Sequence, residues 1–524
     1  MKRFAFFGHR GKILTIIFFL MMLIIVLLCA FSSFFSHVIE CENVFKPEIA
    51  LPNILSGLIG VALIVLLWIV ANRCCSSAKA GSGRLIFLII SLLLCVLQIL
   101  FIWNYYIETN WDVGVLVEVA RDAVAGKDIN VHEWYFSENP NNLLLLRIFI
   151  WVFSIAHWLG IGQSDVFLML VLQCLLVWLS GAMLFQLLCK LHNRKMAWVG
   201  YVLYFSLVTI SPWVSIPYSD TMALVFPLAM LWLAFTSVCK RLNMRLLLIC
   251  LVAVVGYKIK PQTILVLVSL IAVYGFKYWR LRKKAINKVC RRKRRNTIIA
   301  VSTGLILGVV VCVVGIKSIG MKTRNEPAFG MPHYLMMGMN TKSIGSYAGE
   351  DVDFSRTYPK KIQRAKANFE ETGRRLQQMG LGGFFQHIGE KTLINFYDGT
   401  FGWGWEGNFY KNILPKKNET LSPFLRDVYY TTWPRGKYYK YWSNYAQIVW
   451  MGVLILSLLA AFGKIGRRQR AIMLALILFT VFEALFEARA RYIFCFSPLF
   501  VITVVQGLQL LLDVFSKKRM IKKC

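Results

Sequence analysis

Long uninterrupted runs of apolar residues, separated by short polar connections, recur along the whole chain. Most of these runs reach roughly 18 residues, the length at which an apolar stretch predicts a helix that crosses a membrane. The pattern predicts an all-α polytopic membrane protein with about twelve spans, or thirteen if one more run crosses. The approximate ranges are 13–35, 52–72, 84–103, 165–188, 196–212, 219–238, 244–259, 262–276, 297–317, 443–463, 471–487 and 492–514.

Positive charge in the polar connections predicts how these helices are oriented. The connection 277–295 carries eleven Lys and Arg residues and no acidic residue. The positive-inside rule therefore assigns it, together with both termini, to the cytoplasm. This orientation requires that the apolar stretch 142–159 does not cross the membrane. Arg147 and His157 within that stretch suit a helix that lies along the membrane surface.

The orientation divides the chain into membrane segments and two regions that face outward. The larger outward region mixes both charges with many aromatic residues, which predicts folded structure. The expected regions are an N-terminal three-helix membrane segment (1–103), a first extracytoplasmic loop with juxtamembrane helices (104–164), a central transmembrane core (165–317), a large extracytoplasmic loop (318–442), and C-terminal transmembrane helices with a basic cytoplasmic tail (443–524).

Composition supports this assignment and narrows the possible functions. Apolar residues make up 57% of the 524 residues, and Lys plus Arg exceed Asp plus Glu by 60 to 26. In a polytopic protein such an excess is typical of cytoplasmic loops beside anionic lipid, so the expected partner is the bilayer and not nucleic acid. The 13 cysteines show no disulfide or metal-ligand spacing.

Two acidic residues follow closely after the third predicted span. Glu108 and Asp112 lie in the aromatic stretch 105–116, where the chain leaves the membrane on the predicted outer side. A carboxylate at this boundary is suited to act as a base toward a lipid-borne substrate. The alternative is that Asp112 caps the amphipathic helix that follows. The local residues do not separate these two hypotheses.

Further polar residues lie where the chain re-enters the membrane on the same side. Tyr218 and Asp220 form one such boundary, where the alternative is again a helix cap. Two carboxylates from two connections suit acid–base chemistry, or a cation that bridges a phosphate. Asn141 and Asn142 precede the predicted surface helix, where they either orient a polar headgroup or simply form a turn.

Basic residues are expected at the same level of the membrane. Lys258 and Lys260 end the predicted span 244–259, and Arg489 with Arg491 precedes the last span. Sixteen helical residues cover about 24 Å, which is less than a bilayer core of roughly 30 Å. The lysines are therefore expected at headgroup depth, where they either extend toward water or bind a phosphate.

Several stretches of the chain resemble a known family. YFSENPNNLLLL, IPYSDTMALVFPL, GYKIKPQTILV, HYLMMGMN and YDGTFGWGWEG are similar to segments of a group of integral membrane proteins from Gram-positive bacteria. An acid soon after a span, a second acid after a short loop, and basic residues near later spans resemble the GT-C glycosyltransferases, in a form like family 39. The resemblance extends over most of residues 100–500.

The resemblance implies that the protein transfers a sugar from a polyprenyl-phosphate donor to a cell-envelope glycan acceptor, with inversion at the anomeric carbon. Asp112 would be the general base that deprotonates the acceptor hydroxyl, with Glu108 as the alternative. Asp220 would orient the sugar or the acceptor, and an Mg²⁺ or Mn²⁺ ion at Asp112 and Asp220 is left open. The resemblance further implies that the donor phosphate is bound by Lys258, Lys260, Arg489 and Arg491. The other residues expected to bind the substrate, chiefly at sugar hydroxyl groups, are Asn141, Asn142, Tyr218, His333 and Asn340.

The same resemblance implies a polyprenyl-phosphate sugar synthase and a small flippase that act upstream. Two alternatives remain: a flippase or transporter of lipid-linked glycans, and a glycan polymerase or ligase. Transporters tend to place ionisable residues near the middle of the membrane. Here such residues gather at the predicted outer edge, which favours a transferase over a transporter but does not separate it from a polymerase or ligase.

Overall fold

A computed structural model describes most of the chain, and helices dominate it. The described residues are 9–35, 38, 49–76, 82–109, 111–236, 239, 241–275, 288–406, 410–414, 421–431 and 435–521. The helices are α1 (His9–Ala30), α2 (Asn53–Ser76), α3 (Ser82–Asn104), α4 (Asp112–Val124), α5 (Glu133–Glu138), α6 (Leu143–Trp158), α7 (Asp165–Leu191), α8 (Arg194–Tyr204), α9 (Ser219–Met222), α10 (Val225–Phe235), α11 (Leu242–Ile259), α12 (Ile264–Leu270), α13 (Lys288–Lys317), α14 (Met331–Gly338), α15 (Gly349–Arg356), α16 (Lys361–Phe396), α17 (Trp403–Glu406), α18 (Leu421–Tyr429), α19 (Tyr439–Leu459), α20 (Arg467–Leu485) and α21 (Ser497–Ile521).

Nine helical segments of the described chain are long and apolar enough to cross a membrane. This confirms the prediction of a polytopic helical membrane protein, although it gives fewer qualifying spans than the roughly twelve expected. The nine segments are Lys12–Ala30, Asn53–Cys74, Gly83–Asn104, Pro140–Trp158, Gly162–Leu191, Leu242–Ile259, Arg294–Lys317, Tyr439–Phe462 and Ala490–Ser516. The predicted spans that are not among them are 196–212, 219–238, 262–276 and 471–487.

Local breaks and charges account for these differences. α8 is followed by a π-helical turn at Phe205–Thr209, which interrupts the first of the missing spans. Ser219–Phe235 and Pro261–Gly275 are apolar but only 10–17 residues long. Pro261 fixes where the second segment begins, because proline disfavours helical backbone at the residue before it, and Gly275 is the last residue described before Lys288. α20 is 19 residues long, but its first turn, Arg467–Arg470, contains three arginines. These charges keep it from qualifying as an apolar span.

The segment predicted to lie along the membrane surface forms α6. With the turn before it, this helix is also long and apolar enough to span, so its placement in the bilayer stays a prediction. α6 packs against α4 and α7. Trp151 and Trp158, which are seven residues apart and therefore on one face, are 55% and 82% exposed. Exposed tryptophans of this kind are typical of the membrane–water interface.

A two-stranded ribbon is the one departure from an all-α fold in the described chain. β1 (Tyr106–Thr109) pairs antiparallel with β2 (Tyr410–Leu414), in a register that sets Ile107 opposite Ile413. The ribbon joins the two regions that were predicted to face outward. Bidentate contacts from Arg356 to Glu138, both at 2.9 Å, join them a second time.

The centre of the helical bundle is formed around α19, which packs against α2 and α21. At Gly60 of α2 and Gly452 of α19 the two backbones meet without side chains between them. A Cβ atom built at Gly60 would lie 2.1 Å from the Ile448 carbonyl oxygen. Small residues permit this close approach of helices in membranes. Substitution of either glycine would therefore separate the two helices.

Cysteine labelling tests the predicted orientation. Lys342 lies in the large outward loop with its side chain 84% exposed, and Lys464 is exposed in the connection between α19 and α20. In intact cells, a membrane-impermeant thiol reagent is expected to label Lys342→Cys but not Lys464→Cys, measured against the unsubstituted chain. The reverse labelling pattern would contradict the orientation.

Candidate functional site

Asp112 lies at the junction between a strand and a helix. β1 ends at Thr109, and Asp112 is the first residue of α4, with Trp111 in the N-cap position. Among the described residues no side chain caps this helix. The structure therefore does not support the alternative in which Asp112 serves as the cap. A carboxylate in the first helical turn is still stabilised by the helix dipole.

Two tyrosine side chains interact with the Asp112 carboxylate. The Tyr218 hydroxyl donates a hydrogen bond to Asp112 Oδ2 at 2.7 Å, and Tyr135 interacts with Asp112 electrostatically. Asn142 Nδ2 donates to the Tyr135 oxygen at 2.7 Å. Burial, followed by the charge of Asp112, raises the pKa of Tyr135, so its hydroxyl remains a donor near neutral pH. Asp112 itself is half-buried.

A buried glutamine fixes the stretch that carries Tyr218 and Asp220. Gln173 Nε2 donates to the Val214 and Ile216 carbonyl oxygens at 3.0 and 2.9 Å, and its Oε1 accepts from the Tyr218 backbone N–H at 3.3 Å. α9 begins directly afterwards, with Tyr218 as N-cap and no capping side chain in the described residues. Asp220 is therefore not a helix cap either.

Asp220 is 1% exposed and faces two cations. Lys260 Nζ donates to its Oδ1, and Arg491 Nε lies 3.6 Å from its Oδ2. Lys260 reaches it because Pro261 restricts the preceding residue to extended backbone. Lys260 accordingly has φ −147° and ψ 106°, and α11 ends at Ile259. The sequence prediction of a short helix that ends before this proline is confirmed.

Aromatic rings connect these charges to the Asp112 side of the site. The Arg491 guanidinium carbon lies 4.3 Å from the Trp111 ring centroid and 5.8 Å from that of Tyr218. Lys260 Nζ lies 4.0 Å from the Tyr492 ring centroid. Cations over aromatic faces are attracted by the ring quadrupole. We use the term ionic cluster for Asp112, Tyr218, Asp220, Lys260 and Arg491.

A tight turn packs against the backbone that carries Arg491. Asp398 accepts hydrogen bonds from the backbone N–H groups of Thr400 at 2.7 Å and Gly402 at 2.9 Å. Gly402 has a φ of 77°, which favours glycine. A Cβ built on Gly402 would lie 3.5 Å from Ala490 Cβ and 3.7 Å from the Arg491 nitrogen. The turn therefore packs against the backbone at Ala490 and Arg491 and helps to hold it in place.

A second buried polar pair lies beside Lys260. Gln262 Nε2 donates to Glu483 Oε1 at 3.4 Å, and the charge of Lys260 also acts on Glu483. Among the described residues, Gln262 Oε1 and Glu483 Oε2 have no hydrogen-bond partner. The Lys260 ammonium group is therefore influenced by two buried carboxylates, those of Asp220 and Glu483.

The structure separates the predicted basic residues into two kinds. Lys260 and Arg491 are buried in the ionic cluster. Lys258, two residues earlier, is exposed on α11. Arg489 Nε donates to Glu487 Oε1 at 3.0 Å. Lys258 belongs to α11, whereas Lys260 follows it in extended backbone; Arg489 is extended, whereas Arg491 lies in the helical turn Ala490–Phe496. A change of backbone conformation therefore separates the two members of each pair.

His333 and Asn340 form hydrogen bonds within the large loop. His333 Nδ1 lies 2.7 Å from Ser355 Oγ, and burial lowers its pKa to about 4. Asn340 Nδ2 donates to Asp351 Oδ2 at 2.9 Å. Both side chains contribute to the internal packing of this loop, and the structure does not bring them into the ionic cluster.

Asn142 and Asn141 differ in burial. Asn142 is buried against Tyr135 and so supports the Asp112 carboxylate indirectly. Asn141 is exposed and donates to Asn142 Oδ1 at 3.2 Å. Glu108 lies in β1 opposite Asn412, but its side chain lies outside the described part of the structure. Its role as the alternative base stays a prediction.

The donor set does not fit a divalent ion. Among the described residues there is no group of three or more His, Cys, Asp or Glu side chains that could bind a metal. Asp220 already faces Lys260 and Arg491, and bringing Mg²⁺ or Mn²⁺ beside two cations would be unfavourable. Asp220 is therefore better suited to position the two basic side chains.

Tyr135 and Lys391 are buried polar residues that the sequence prediction missed. Tyr135 interacts electrostatically with Asp112 from a short helix whose sequence carries no periodic signal. Lys391 is fully buried in α16. Its neighbours in the sequence include Glu390, Thr392 and Asn395, so the local sequence does not distinguish it from a solvated lysine.

The fold and the ionic cluster define a multi-pass integral membrane protein with a charged site where several connections between helices meet. The chain belongs to the family described as conserved hypothetical integral membrane protein, whose model matches residues 6–509. This confirms the part of the expected resemblance that concerned integral membrane proteins. No curated protein and no solved structure matches the chain. The family description states no activity, so the function has to be argued from the site.

Removal of Lys260 tests the pairing in the ionic cluster. Lys260→Met would leave the buried Asp220 without its hydrogen-bonded cation, which typically destabilises a protein by about 3–5 kcal/mol. The expected result is a clearly lowered Tm of the purified protein in nanodiscs. Lys342→Met is the matched control, because Lys342 and Glu350 form an exposed pair at 4.0 Å. An unchanged Tm for Lys260→Met would contradict the pairing.

Proposed function

We propose that the protein is a membrane glycosyltransferase that transfers a sugar from a polyprenyl-phosphate donor to a cell-envelope glycan acceptor. The observation that carries this proposal is the contrast between two carboxylates in one cluster. Asp112 is half-buried and can be reached by a substrate, whereas Asp220 is buried between Lys260 and Arg491. One carboxylate is thus available for chemistry, and the other is used for positioning.

In this proposal Asp112 is the general base. Its carboxylate takes the proton from an acceptor hydroxyl as that oxygen attacks the anomeric carbon of the donor, and the bond from that carbon to the phosphate oxygen breaks. Attack from the face opposite to the leaving phosphate inverts the configuration at this carbon. Tyr218 keeps the carboxylate in place by donating a hydrogen bond to it. Such positioning is a requirement for general-base catalysis.

Arg491 and Lys260 stabilise the leaving group. Negative charge develops on the polyprenyl phosphate as the sugar leaves, and fixed cations at that point lower the barrier. Lys260 and Arg491 converge on one carboxylate, that of Asp220, so two cations are held at the same place. In this proposal the phosphate group of the donor binds there. The guanidinium group is suited to this task because it binds phosphate in two-pronged geometry.

The location of the buried charges fits a substrate that arrives in the membrane. Lys260 follows the last residue of α11, Glu483 lies near the end of α20, and Arg491 lies in the turn before α21. Charges near helix ends are expected at headgroup depth, whereas transport pathways use charges near the middle of the membrane. A lipid-linked sugar presents its phosphate at headgroup depth.

Substitution of Asp112 tests the assignment of the base. Asp112→Asn should remove at least about 10²-fold of the transfer rate, the lower range of general-base catalysis, while protein abundance in membranes stays unchanged. The assay follows release of polyprenyl phosphate from a panel of polyprenyl-phosphate hexoses and pentoses. Glu118→Gln is the matched control, since Glu118 is exposed on the same helix. Full activity of Asp112→Asn would remove this residue from the mechanism.

Substitution of Arg491 tests the phosphate contact. Arg491→Gln should weaken binding of polyprenyl phosphate by roughly tenfold or more, because a charge-assisted contact is lost. The affinity can be measured with a fluorescent polyprenyl phosphate and the purified protein in nanodiscs. Lys258→Gln removes one positive charge from an exposed position nearby and should have little effect. Equal losses for both variants would indicate a general charge effect and not a specific site.

A further inference from the structure

The side chain of Lys391 is completely buried. Its Nζ donates hydrogen bonds to two backbone carbonyl oxygens, those of Gly338 at 2.8 Å and Phe486 at 2.6 Å. Phe486 directly follows the last residue of α20. The final carbonyl groups of a helix have no partner within the helix, and a cation there also interacts favourably with the helix dipole. Lys391 therefore joins the large loop to the end of α20.

Other contacts attach the same backbone stretch to the large loop. The Ala488 N–H donates to the Gly345 carbonyl oxygen at 2.8 Å, and Ser346 Oγ donates to the Ala488 carbonyl oxygen at 3.2 Å. A Cβ built on Gly338 would lie 2.3 Å from the Leu485 carbonyl oxygen. The large loop thus contacts residues 485–488 through backbone groups at close range.

This attachment lies just before Arg491. Glu487 accepts hydrogen bonds from Arg489 Nε at 3.0 Å and from the Tyr492 hydroxyl at 3.1 Å. These two hydrogen bonds fix the short segment 489–492, which contains Arg491, relative to the attached stretch 485–488. Only Arg489 and Ala490 separate Arg491 from the attached residue Ala488. The backbone of Arg491 therefore has little freedom once Ala488 and Tyr492 are both held.

We infer that Lys391 is a positioning residue for Arg491, acting through the backbone at Phe486. This inference rests on the proposed function in one respect, namely that Arg491 binds the phosphate of a polyprenyl lipid. The large outward loop is then part of the phosphate-binding site. In this inference α16 fixes the position of the Arg491 guanidinium group through Lys391 and the backbone at Phe486, without contacting the phosphate.

The ionisation of Lys391 is compatible with this role. Burial lowers the pKa of Lys391 to about 7, and the carboxylates of Glu483 and Glu487 oppose that effect. His387 and Glu390 lie on its own helix. A neutral amine still carries two N–H groups, and Lys391 has two carbonyl acceptors. The attachment can therefore persist on both sides of neutral pH.

Hydrogen–deuterium exchange tests the attachment without relying on any activity. In Lys391→Met, backbone exchange in the peptide 485–492 should rise by about tenfold or more, because hydrogen bonds from a charged donor are lost. Lys366→Met is the control, since Lys366 is 78% exposed in the part of α16 that precedes the kink at Gly380. Ser346→Ala should raise exchange in the same peptide by a smaller factor, and it provides the answer if Lys391→Met does not fold. Unchanged exchange in the variants that fold would overturn the inference.

Binding of a polyprenyl monophosphate tests the link to Arg491. Lys391→Met should raise the Kd for the polyprenyl monophosphate by roughly tenfold in the otherwise unchanged protein. It should not raise the Kd further in an Arg491→Gln background. A loss of folded protein would reduce the number of sites but not the Kd. Equal effects in both backgrounds, or no binding by the unsubstituted protein, would overturn the positioning role. If the protein binds the phosphate and transfers no sugar, only the proposed transfer reaction fails.

Discussion

The buried carboxylate of Asp220 is the constraint on which the candidate site depends. A charge with 1% exposure is stable only beside opposite charge, so Lys260 and Arg491 must converge on it from connections that are far apart in the sequence. Arg491 in turn lies over the ring of Trp111, the residue next to Asp112. Once Asp220 is paired, the relative positions of the two cations and of the half-buried Asp112 carboxylate follow. The helices of the bundle serve mainly to bring these connections together.

The membrane helices could be predicted from the sequence because the length of an apolar run is a direct physical requirement for crossing a bilayer. Nine segments of the described chain qualify as spans, whereas about twelve were predicted; a π-helical turn interrupts one of the others at Phe205–Thr209, and Pro261–Gly275 is short within the described residues. The ribbon of Tyr106–Thr109 with Tyr410–Leu414 could not be predicted. Strands this short have no sequence pattern of their own, and each is stable only because the other is present.

The candidate site was predictable where a charge stands at the end of an apolar run. Asp220, Lys260 and Arg491 are of this kind, since such charges are costly unless they are paired or functional. His333 and Asn340 were not distinguishable from site residues, because polar side chains in a loop can satisfy one another and the sequence does not show which do so. Lys391 was missed for a related reason: its helix belongs to a region that was predicted to be outside the membrane, where a lysine is normally solvated.

The antiparallel ribbon has a consequence for how the two outward regions can change. Asp112 follows closely after the last paired residue of the first strand, Thr109, whose partner Tyr410 belongs to the other region. The position of the carboxylate is therefore a joint property of two regions that are distant in the sequence. Neither region can be exchanged for that of a relative as an independent module. A chimaera that preserves the site would have to inherit both regions from the same parent.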